Sequence, residues 1–76
     1  MRIDLFLKDT RIIKRRTVAK EFCDRGLVKI NDKVVKPSYD VKEGDVLLIK
    51  LGNKELKALA HIEKGNKKEK GSYEPL

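Results

Sequence analysis

The spacing of the apolar residues changes at Gly26, and this change limits the possible folds more than any other feature of the chain. Before Gly26, residues 2–9 and 16–25 carry apolar side chains at the i, i+3, i+4 spacing of an amphipathic helix. After it, the apolar residues fall in short β-branched runs separated by turn-forming residues. Gly26 itself suits the left-handed position at which a helix ends. The sequence therefore predicts an α+β fold in which two N-terminal helices pack on a small, mostly antiparallel sheet.

The first strands after Gly26 flank a pair of turn residues. Residues 27–30 and 33–36 are rich in Val and Ile, and Asn31-Asp32 lies between them. Because Asn and Asp both tolerate positive φ, this arrangement predicts a β-hairpin with a two-residue turn. Pro37 cannot donate a ladder hydrogen bond, so we expect the second strand to end there.

Residues 54–63 fit two interpretations. Their apolar residues alternate as in a strand, but some also fit a helical spacing, and good helix formers are abundant. The preceding residues 46–51 form the most strand-like segment of the chain, and Gly52-Asn53 follows them as a tight turn. This turn favours a strand that returns antiparallel to the first.

The length of 76 residues leaves room for one domain and a short tail. Residues 64–76 contain few apolar residues and several lysines, so we expect a flexible lysine-rich tail after a domain at residues 1–63. A two-domain enzyme with a cofactor-binding fold is excluded by this length. No run approaches the ~20 apolar residues of a membrane span, and we expect a cytoplasmic protein without membrane contacts.

Residues that could support catalysis are few. A single cysteine, Cys23, cannot form an internal disulfide, and with His61 as the one histidine no metal site can be assembled. Within its apolar pattern, Cys23 is expected to be a small core residue in a reducing compartment. His61 is expected on the surface of a strand, or half-buried. Since there is also no glycine-rich phosphate loop, we expect no enzyme, no cofactor and no metal.

The positive charge is concentrated at the N-terminal end. The chain has net charge +7, which suits a polyanionic partner such as RNA, DNA or an anionic membrane. All arginines lie within the first 25 residues, whereas every later basic residue is lysine. The planar guanidinium forks of arginine pair with phosphate oxygens, so this distribution indicates a contact surface rather than a merely solvated helix face. The candidate RNA-binding residues are Arg2, Lys8, Arg11, Lys14, Arg15, Arg16 and Lys20.

The arrangement of these residues favours folded RNA over single strands. On a helix, Arg16, Lys20 and more loosely Lys14 share the side opposite the apolar stripe. Arg2 reaches the same face if the two helices pack against each other. Aromatic residues do not interleave with the charges, so a sheet that stacks unpaired bases is not expected. Phosphate and shape contacts fit better.

The order of five short blocks resembles the ribosomal-protein-S-four RNA-binding domain, over roughly residues 1–51. The blocks are Arg2-x-Asp4-x-Phe6-Leu7, Arg15-Arg16-Thr17-Val18-Ala19, Gly26-x-Val28-x-Ile30-Asn31, Pro37 and Gly44-Asp45-x-Leu47. The resemblance implies two helices against a small sheet, with structured RNA bound on the helical face. It departs from the usual Asn-Gly turn by having Asn31-Asp32.

The run from Arg11 to Glu21 is most similar to the stand-alone members of ribosome-associated quality control, the RqcP type, and to the fifteen-kilodalton heat-shock type. This resemblance implies binding to a stalled large ribosomal subunit, with large-subunit rRNA and tRNA as partners, in support of a partner factor that adds an alanine tail to the nascent chain. Arg2 and Arg16 would be the main RNA contacts and Arg11, Lys14, Arg15 and Lys20 supporting phosphate contacts. We expect a monomer.

The sequence also allows other functions. A heat-shock-type ribosome recycling factor would use the same face. A small DNA-binding regulator would use the basic second helix, although no dimer seam is evident. A module that binds a protein partner would do so independently of nucleic acid.

Asp4 also has two interpretations: it meets the dipole of the first helix, or it orients Arg2 through an ion pair.

Overall fold

The computed structural model describes all 76 residues, and it places two helices on one face of a five-stranded sheet. The elements are α1 (Ile3–Asp9), α2 (Arg16–Asp24), β1 (Val28–Ile30), β2 (Lys33–Val34), β3 (Val46–Leu51), β4 (Lys54–Lys64) and β5 (Glu69–Pro75). The strand order is β2-β1-β3-β4-β5, and every neighbouring pair is antiparallel. The predicted α+β class, with two N-terminal helices on an antiparallel sheet, is confirmed.

The core lies between the helices and one face of the sheet. Alternate strand residues are buried there, among them Val28, Ile30, Leu47, Ile49 and Ala60. Their neighbours along the strands, such as Lys29 and Leu48, lie on the other face and are more exposed. Because the side-chain period of a strand is two, this alternation fixes the register of the sheet against the helices.

The end of α2 is closed by the predicted glycine. Gly26 has φ +73°, its N–H donates to the Cys23 carbonyl at 3.0 Å, and the Leu27 N–H donates to the Phe22 carbonyl at 2.9 Å. This pair of bonds is the Schellman motif, which satisfies carbonyls that would otherwise lack partners at the helix end. It turns the chain directly into β1.

The turn residues of the β1–β2 hairpin hold it in place. Asn31 and Asp32 have φ of +51° and +70°, the signs that a type I′ turn requires. The Asn31 amide donates to Asp45 Oδ1 at 3.2 Å, and its oxygen accepts the Val46 N–H at 3.0 Å. Asn31 and Asp45, both members of the blocks that resemble the S-four domain, therefore hold the hairpin to the start of β3.

Residues 54–63 form a strand, as the alternating pattern and the preceding turn favoured. β4 runs through Lys54–Lys64 and pairs with β3 across a two-residue turn, in which Leu51 opposes Lys54. Gly52 supplies the positive φ of that turn, +64°. β4 is longer than β3, and the edge of β4 that faces away from β3 pairs with another strand.

The prediction of a flexible tail after residue 63 is wrong for residues 69–75. These residues form β5, which pairs with β4 from Ala58↔Pro75 to Lys64↔Glu69. Gly71, Tyr73 and Pro75 recur at the period of two and lie on the helix side of the sheet, opposite Ile62, Ala60 and Ala58. This strand is difficult to recognise from the sequence because an edge strand needs only one covered face, and the residues that alternate with Gly71, Tyr73 and Pro75 are charged or polar.

His61 links three parts of the fold on the uncovered side of the sheet. Its Nδ1 lies 2.6 Å from Glu43, and its Nε2 lies 3.6 Å from Glu74 of β5. The hydrogen bond with Glu43 is the largest cause that raises the pKa of His61, and the Glu74 carboxylate adds to it. His61 is half-buried, with 37% of its side chain exposed, as the sequence predicted.

This geometry predicts a pH-dependent contribution to stability. Because the folded-state pKa of His61 is raised above 6.5, its contribution is fully present below that value and is lost as pH rises through the raised pKa. We expect the stability advantage of the native chain over His61→Gln to stay constant from about pH 5 to about pH 6.5 and to shrink from there towards about pH 8. Urea unfolding of both proteins across this range measures it. Parallel stability curves would contradict the proposed ion pairs.

Candidate nucleic-acid interface

The N-terminal turn of α1 is held by the loop that follows the hairpin. The Ile3 N–H donates to the Tyr39 carbonyl at 2.8 Å, and the Asp4 N–H donates to the Pro37 carbonyl at 3.2 Å. Backbone carbonyls thus satisfy helix N–H groups that a capping side chain would usually satisfy. Arg2 is the N-cap residue, and because a guanidinium has donors but no acceptor, it cannot cap the helix N–H groups and makes other contacts instead.

Asp4 brings two arginines from different helices together. Its carboxylate is buried, with 3% of the side chain exposed, and Oδ2 lies 3.1 Å from Arg2 Nη2 and 3.5 Å from Arg16 Nε. The two arginine side chains are half-exposed, at 50% and 49%. The ion-pair interpretation of Asp4 is therefore observed, and it includes Arg16 as well. Asp4 also contributes to the first turn of α1, since Oδ1 accepts the Leu5 N–H at 2.7 Å.

These residues surround a shallow depression on the helical surface, here called the Asp4 site. It is lined by Arg2, Asp4, Arg16, Thr17 and Lys20. A guanidinium has five N–H donors in a fixed fork, so each arginine keeps donors for an external anion after it contacts Asp4. The three cations outnumber the one carboxylate. The Asp4 site is thus a positively charged cradle whose arginines are oriented before a ligand arrives.

A second basic depression, the Arg11 site, lies where α1 ends. It is lined only by polar residues: Lys8, Asp9, Arg11 and Lys14. Arg11 has φ +62°, in the left-handed region, and its N–H donates to the Lys8 carbonyl at 3.1 Å. This position at a helix C-terminus is usually occupied by glycine, because a Cβ there costs about 1–2 kcal/mol. The chain keeps a charged side chain at a strained position.

Arg11→Gly is therefore expected to have opposite effects on stability and on binding. Relief of the left-handed strain should raise the free energy of unfolding by roughly 1 kcal/mol. Loss of the guanidinium should weaken binding of a structured RNA severalfold and lower its salt dependence. Urea unfolding and filter binding of the same preparation measure both. An RNA affinity that stays unchanged in the stabilised protein would exclude Arg11 from the interface.

Arg15 lies outside both depressions. It is the N-cap residue of α2, it is exposed, and it makes no side-chain capping bond. The first turn of α2 contains no acidic residue, so Arg15 and Arg16 place positive charge at the positive end of the helix dipole, where it is unfavourable. A bound anion would compensate this charge. The local sequence thus favours ligand binding over the stability of this helix end.

Of the seven predicted RNA-binding residues, the structure gathers six into two clusters. Arg2, Arg16 and Lys20 belong to the Asp4 site, and Lys8, Arg11 and Lys14 belong to the Arg11 site. The helical spacing indicated the pairing of Arg16 with Lys20, but it also placed Lys14 loosely with them. Thr17 also lines the Asp4 site but was not predicted as a site residue. Its position directly after Arg16, on an exposed turn of α2, was the signal that could have indicated it.

Other chemically active groups are not gathered into a site. Burial is the largest cause that raises the pKa of the Cys23 thiol to about 11, with the nearby Asp4 and Asp24 carboxylates adding to it. The thiol therefore stays protonated at neutral pH, and its burial fits the predicted core role. No three His, Cys, Asp or Glu side chains are grouped closely enough to hold a metal ion. Neither helix has the length and apolarity needed to cross a bilayer.

Comparison with known protein families matches residues 1–47 to the S4 domain. A protein from Halalkalibacterium halodurans named RQC P-site tRNA stabilizing factor is 54% identical over 54 residues, which are 71% of this chain and 61% of that protein. A protein of the same name from Listeria monocytogenes is 44% identical over 73 residues, 95% of this chain and 79% of its own length. The chain thus spans 61% to 79% of the length of these two relatives.

A solved structure shares the fold across the whole chain. It is described as trimeric heat shock protein 15 from Vibrio cholerae, and it is 27% identical to this chain with a TM-score of 0.82. The superposition covers 100% of this chain and 81% of the other. The similarity therefore includes β4 and β5, which lie beyond the residues matched to the S4 domain.

Proposed function

Because the chain belongs to the S4-domain family and, within it, to the family of RQC P-site tRNA stabilizing factors, we propose that it is an RNA-binding protein of ribosome-associated quality control. It binds a stalled large ribosomal subunit that still carries peptidyl-tRNA, and it contacts both tRNA and rRNA. The observation that carries this proposal is the Asp4 site, in which a buried carboxylate orients two half-exposed arginines from separate helices. This arrangement suits phosphate oxygens.

Binding is driven by the release of counterions from RNA phosphates. If the two basic sites and Arg15 together neutralise ~6 phosphates, log affinity should fall against log salt with a slope of about −4 to −5. Phosphate contacts of this kind hold a protein in one orientation on folded RNA and carry little sequence information. Specificity would then come from the shape of the tRNA and rRNA surfaces that both clusters reach at once.

The protein acts by holding its RNA ligands, without chemistry of its own. A factor that contacts tRNA and rRNA together lengthens the residence of peptidyl-tRNA on the large subunit. A partner factor then has time to add an alanine tail to the nascent chain. We propose that one copy of the chain performs this role as a monomer in the cytoplasm.

Asp4→Asn separates orientation from bulk charge. The substitution removes one negative charge from a chain of net charge +7, so overall electrostatics alone would strengthen RNA binding. We expect the opposite, a loss of about tenfold, because Arg2 and Arg16 lose their common partner and repel each other. Fluorescence anisotropy with labelled tRNA measures it, and Asp24→Asn, an exposed position on α2, is the matched charge control. Equal gains in both variants would refute the positioning role.

The proposed function is tested by sedimentation of the tagged protein with purified large subunits. We expect it to co-sediment with subunits that carry P-site tRNA, more weakly with vacant subunits, and not with duplex DNA of equal length at equal salt. Crosslinks should map to tRNA and large-subunit rRNA. Protein that stays at the top of the gradient would contradict the proposal, and a preference for duplex DNA would favour a DNA-binding regulator.

One observation favours a second candidate in the same class. The full-length similarity to heat shock protein 15 is compatible with a factor that recycles blocked large subunits after heat stress. Both functions use the same helical face. Deletion of the gene distinguishes them, because only the quality-control function predicts loss of alanine-tailed nascent chains at normal temperature.

A further inference from the structure

A groove outside the two basic sites lies between the β1–β2 hairpin and the turn at residues 36–39. Its cavity volume is about 490 Å³, within the range of small-ligand sites in proteins. Its apolar lining comes from Ile30, Val34, Val35 and Tyr39. The turn forms because the Tyr39 N–H donates to the Lys36 carbonyl at 3.0 Å with Pro37 at its second position.

Two apolar side chains in this groove are uncovered. Val34 is 56% exposed and Tyr39 is 36% exposed. Only two other large hydrophobic side chains, Tyr73 and Leu76, are exposed to this degree, and neither lines the groove. An accessible aromatic ring beside a β-branched side chain offers an apolar surface on which a flat ligand can stack.

The polar lining of the groove is positive. Lys33 and Lys36 both line it, and no acidic residue does. None of the ion pairs in the structure involves a lysine, so both ammonium groups remain available for an external anion. An aromatic ring flanked by available cations complements a nucleotide, whose base is flat and whose flanking phosphates are anionic.

The groove is also connected to the Asp4 site through the backbone. The carbonyls of Pro37 and Tyr39 accept the N–H groups of Asp4 and Ile3, at 3.2 and 2.8 Å. The turn that presents Tyr39 is therefore bonded directly to the helix turn that presents Arg2.

From this geometry we propose that the groove is a nucleoside subsite that extends the proposed RNA-binding surface. The base of an unpaired nucleotide stacks on the Tyr39 ring beside Val34, and Lys33 and Lys36 contact the phosphates on either side of it. This inference rests on the proposed function, because it takes its ligand from an RNA already held at the Asp4 site. The subsite adds base stacking to a surface for which the sequence favoured phosphate and shape contacts.

A titration followed by amide NMR tests the subsite without any substitution. The probes are a single-stranded uridine hexanucleotide and inorganic pyrophosphate. We expect the hexanucleotide to shift the amide signals of residues 33–39 and of the Asp4 site, and pyrophosphate to shift only those of the Asp4 site. Shifts confined to the Asp4 site with both probes would overturn the subsite and leave the proposed function standing. Shifts of residues 33–39 alone would support the groove and contradict the helical surface.

Substitution of Tyr39 provides the second test. Tyr39→Ala should weaken hexanucleotide binding about tenfold, within the range found for loss of base–aromatic stacking, whereas Tyr39→Phe should bind normally. The slope of log affinity against log salt should not change, because no charge is removed. Tyr73→Ala, at an equally exposed tyrosine on β5, is the matched control. Equal affinities of Tyr39→Ala and Tyr73→Ala would overturn the proposal.

Discussion

The double variant Arg2→Ala/Arg16→Ala is expected to bind tRNA-carrying large subunits about a hundredfold more weakly than the native chain, because each lost charge-assisted contact is worth roughly 1.5 kcal/mol. Both guanidiniums are oriented by the same buried carboxylate, so the two losses fall on one site. The salt dependence should also decrease, by a slope of about 2 for two phosphate contacts. Binding isotherms at several salt concentrations measure both quantities.

The control for this variant removes the same charge elsewhere. Lys67→Ala/Lys68→Ala also removes two positive charges, from exposed residues in the β4–β5 connection. We expect this control to bind within about threefold of the native chain, since neither lysine lines the Asp4 site or the Arg11 site and exposed charges outside a contact are screened. Because the arginine variant leaves Asp4 without its cations, its folded fraction is measured by urea unfolding and the affinity is corrected for it. Equal losses in both variants would indicate bulk electrostatics and contradict the Asp4 site.

Gly71→Ala is expected to detach β5 from the fold. A Cβ at this position would lie 2.6 Å from Phe6 Cδ2 and 2.9 Å from Phe6 Cε2. Phe6 is fully buried in the core, so its ring cannot yield cheaply, and the strand must move instead. We expect a cost of about 2 kcal/mol, typical of overpacking a filled core. Hydrogen exchange should show reduced protection across β4–β5, with β1 and β3 retaining theirs.

Ser72→Ala is the matched control for this prediction. Ser72 is the next residue along β5, opposite His61, and lies on the other face of the sheet. We expect its substitution to leave the protection of β5 unchanged. Protection in Gly71→Ala that equals the control would mean that α1 does not anchor β5. Low protection of residues 69–75 in the native chain and in both variants would instead mean that these residues behave as the flexible tail that their composition indicated.

The parts of the fold that could be predicted from sequence are those with a repeated local signal. Two amphipathic segments, the turn residues Asn31-Asp32 and Gly52-Asn53, and the helix end at Gly26 each specify local backbone geometry. β5 could not be predicted, because its apolar face consists of Gly71, Tyr73 and Pro75 in a background of lysine and glutamate. It pairs with β4 and packs at Gly71 against Phe6 of α1, which is distant in sequence.

The candidate site could likewise be predicted from the sequence only in part. The concentration of arginine near the N-terminus correctly drew attention to the helical surface as a basic surface. The sequence does not reveal that Arg2 and Arg16 meet on one oxygen of Asp4, because that contact requires α1 to pack against α2. It also does not reveal the left-handed conformation of Arg11, which follows from the turn between the helices. Tyr39 gains its basic surroundings only when the hairpin folds.

Site-specific photocrosslinking tests the central claim most directly. A photoreactive residue at Thr17, which lines the Asp4 site, is compared with one at Ser72, exposed on the opposite side of the sheet, on large subunits that carry P-site tRNA. We expect crosslinks to tRNA and large-subunit rRNA from Thr17 and few from Ser72. RNA crosslinks that are as frequent from Ser72 as from Thr17, or absent from both, would contradict binding through the helical face.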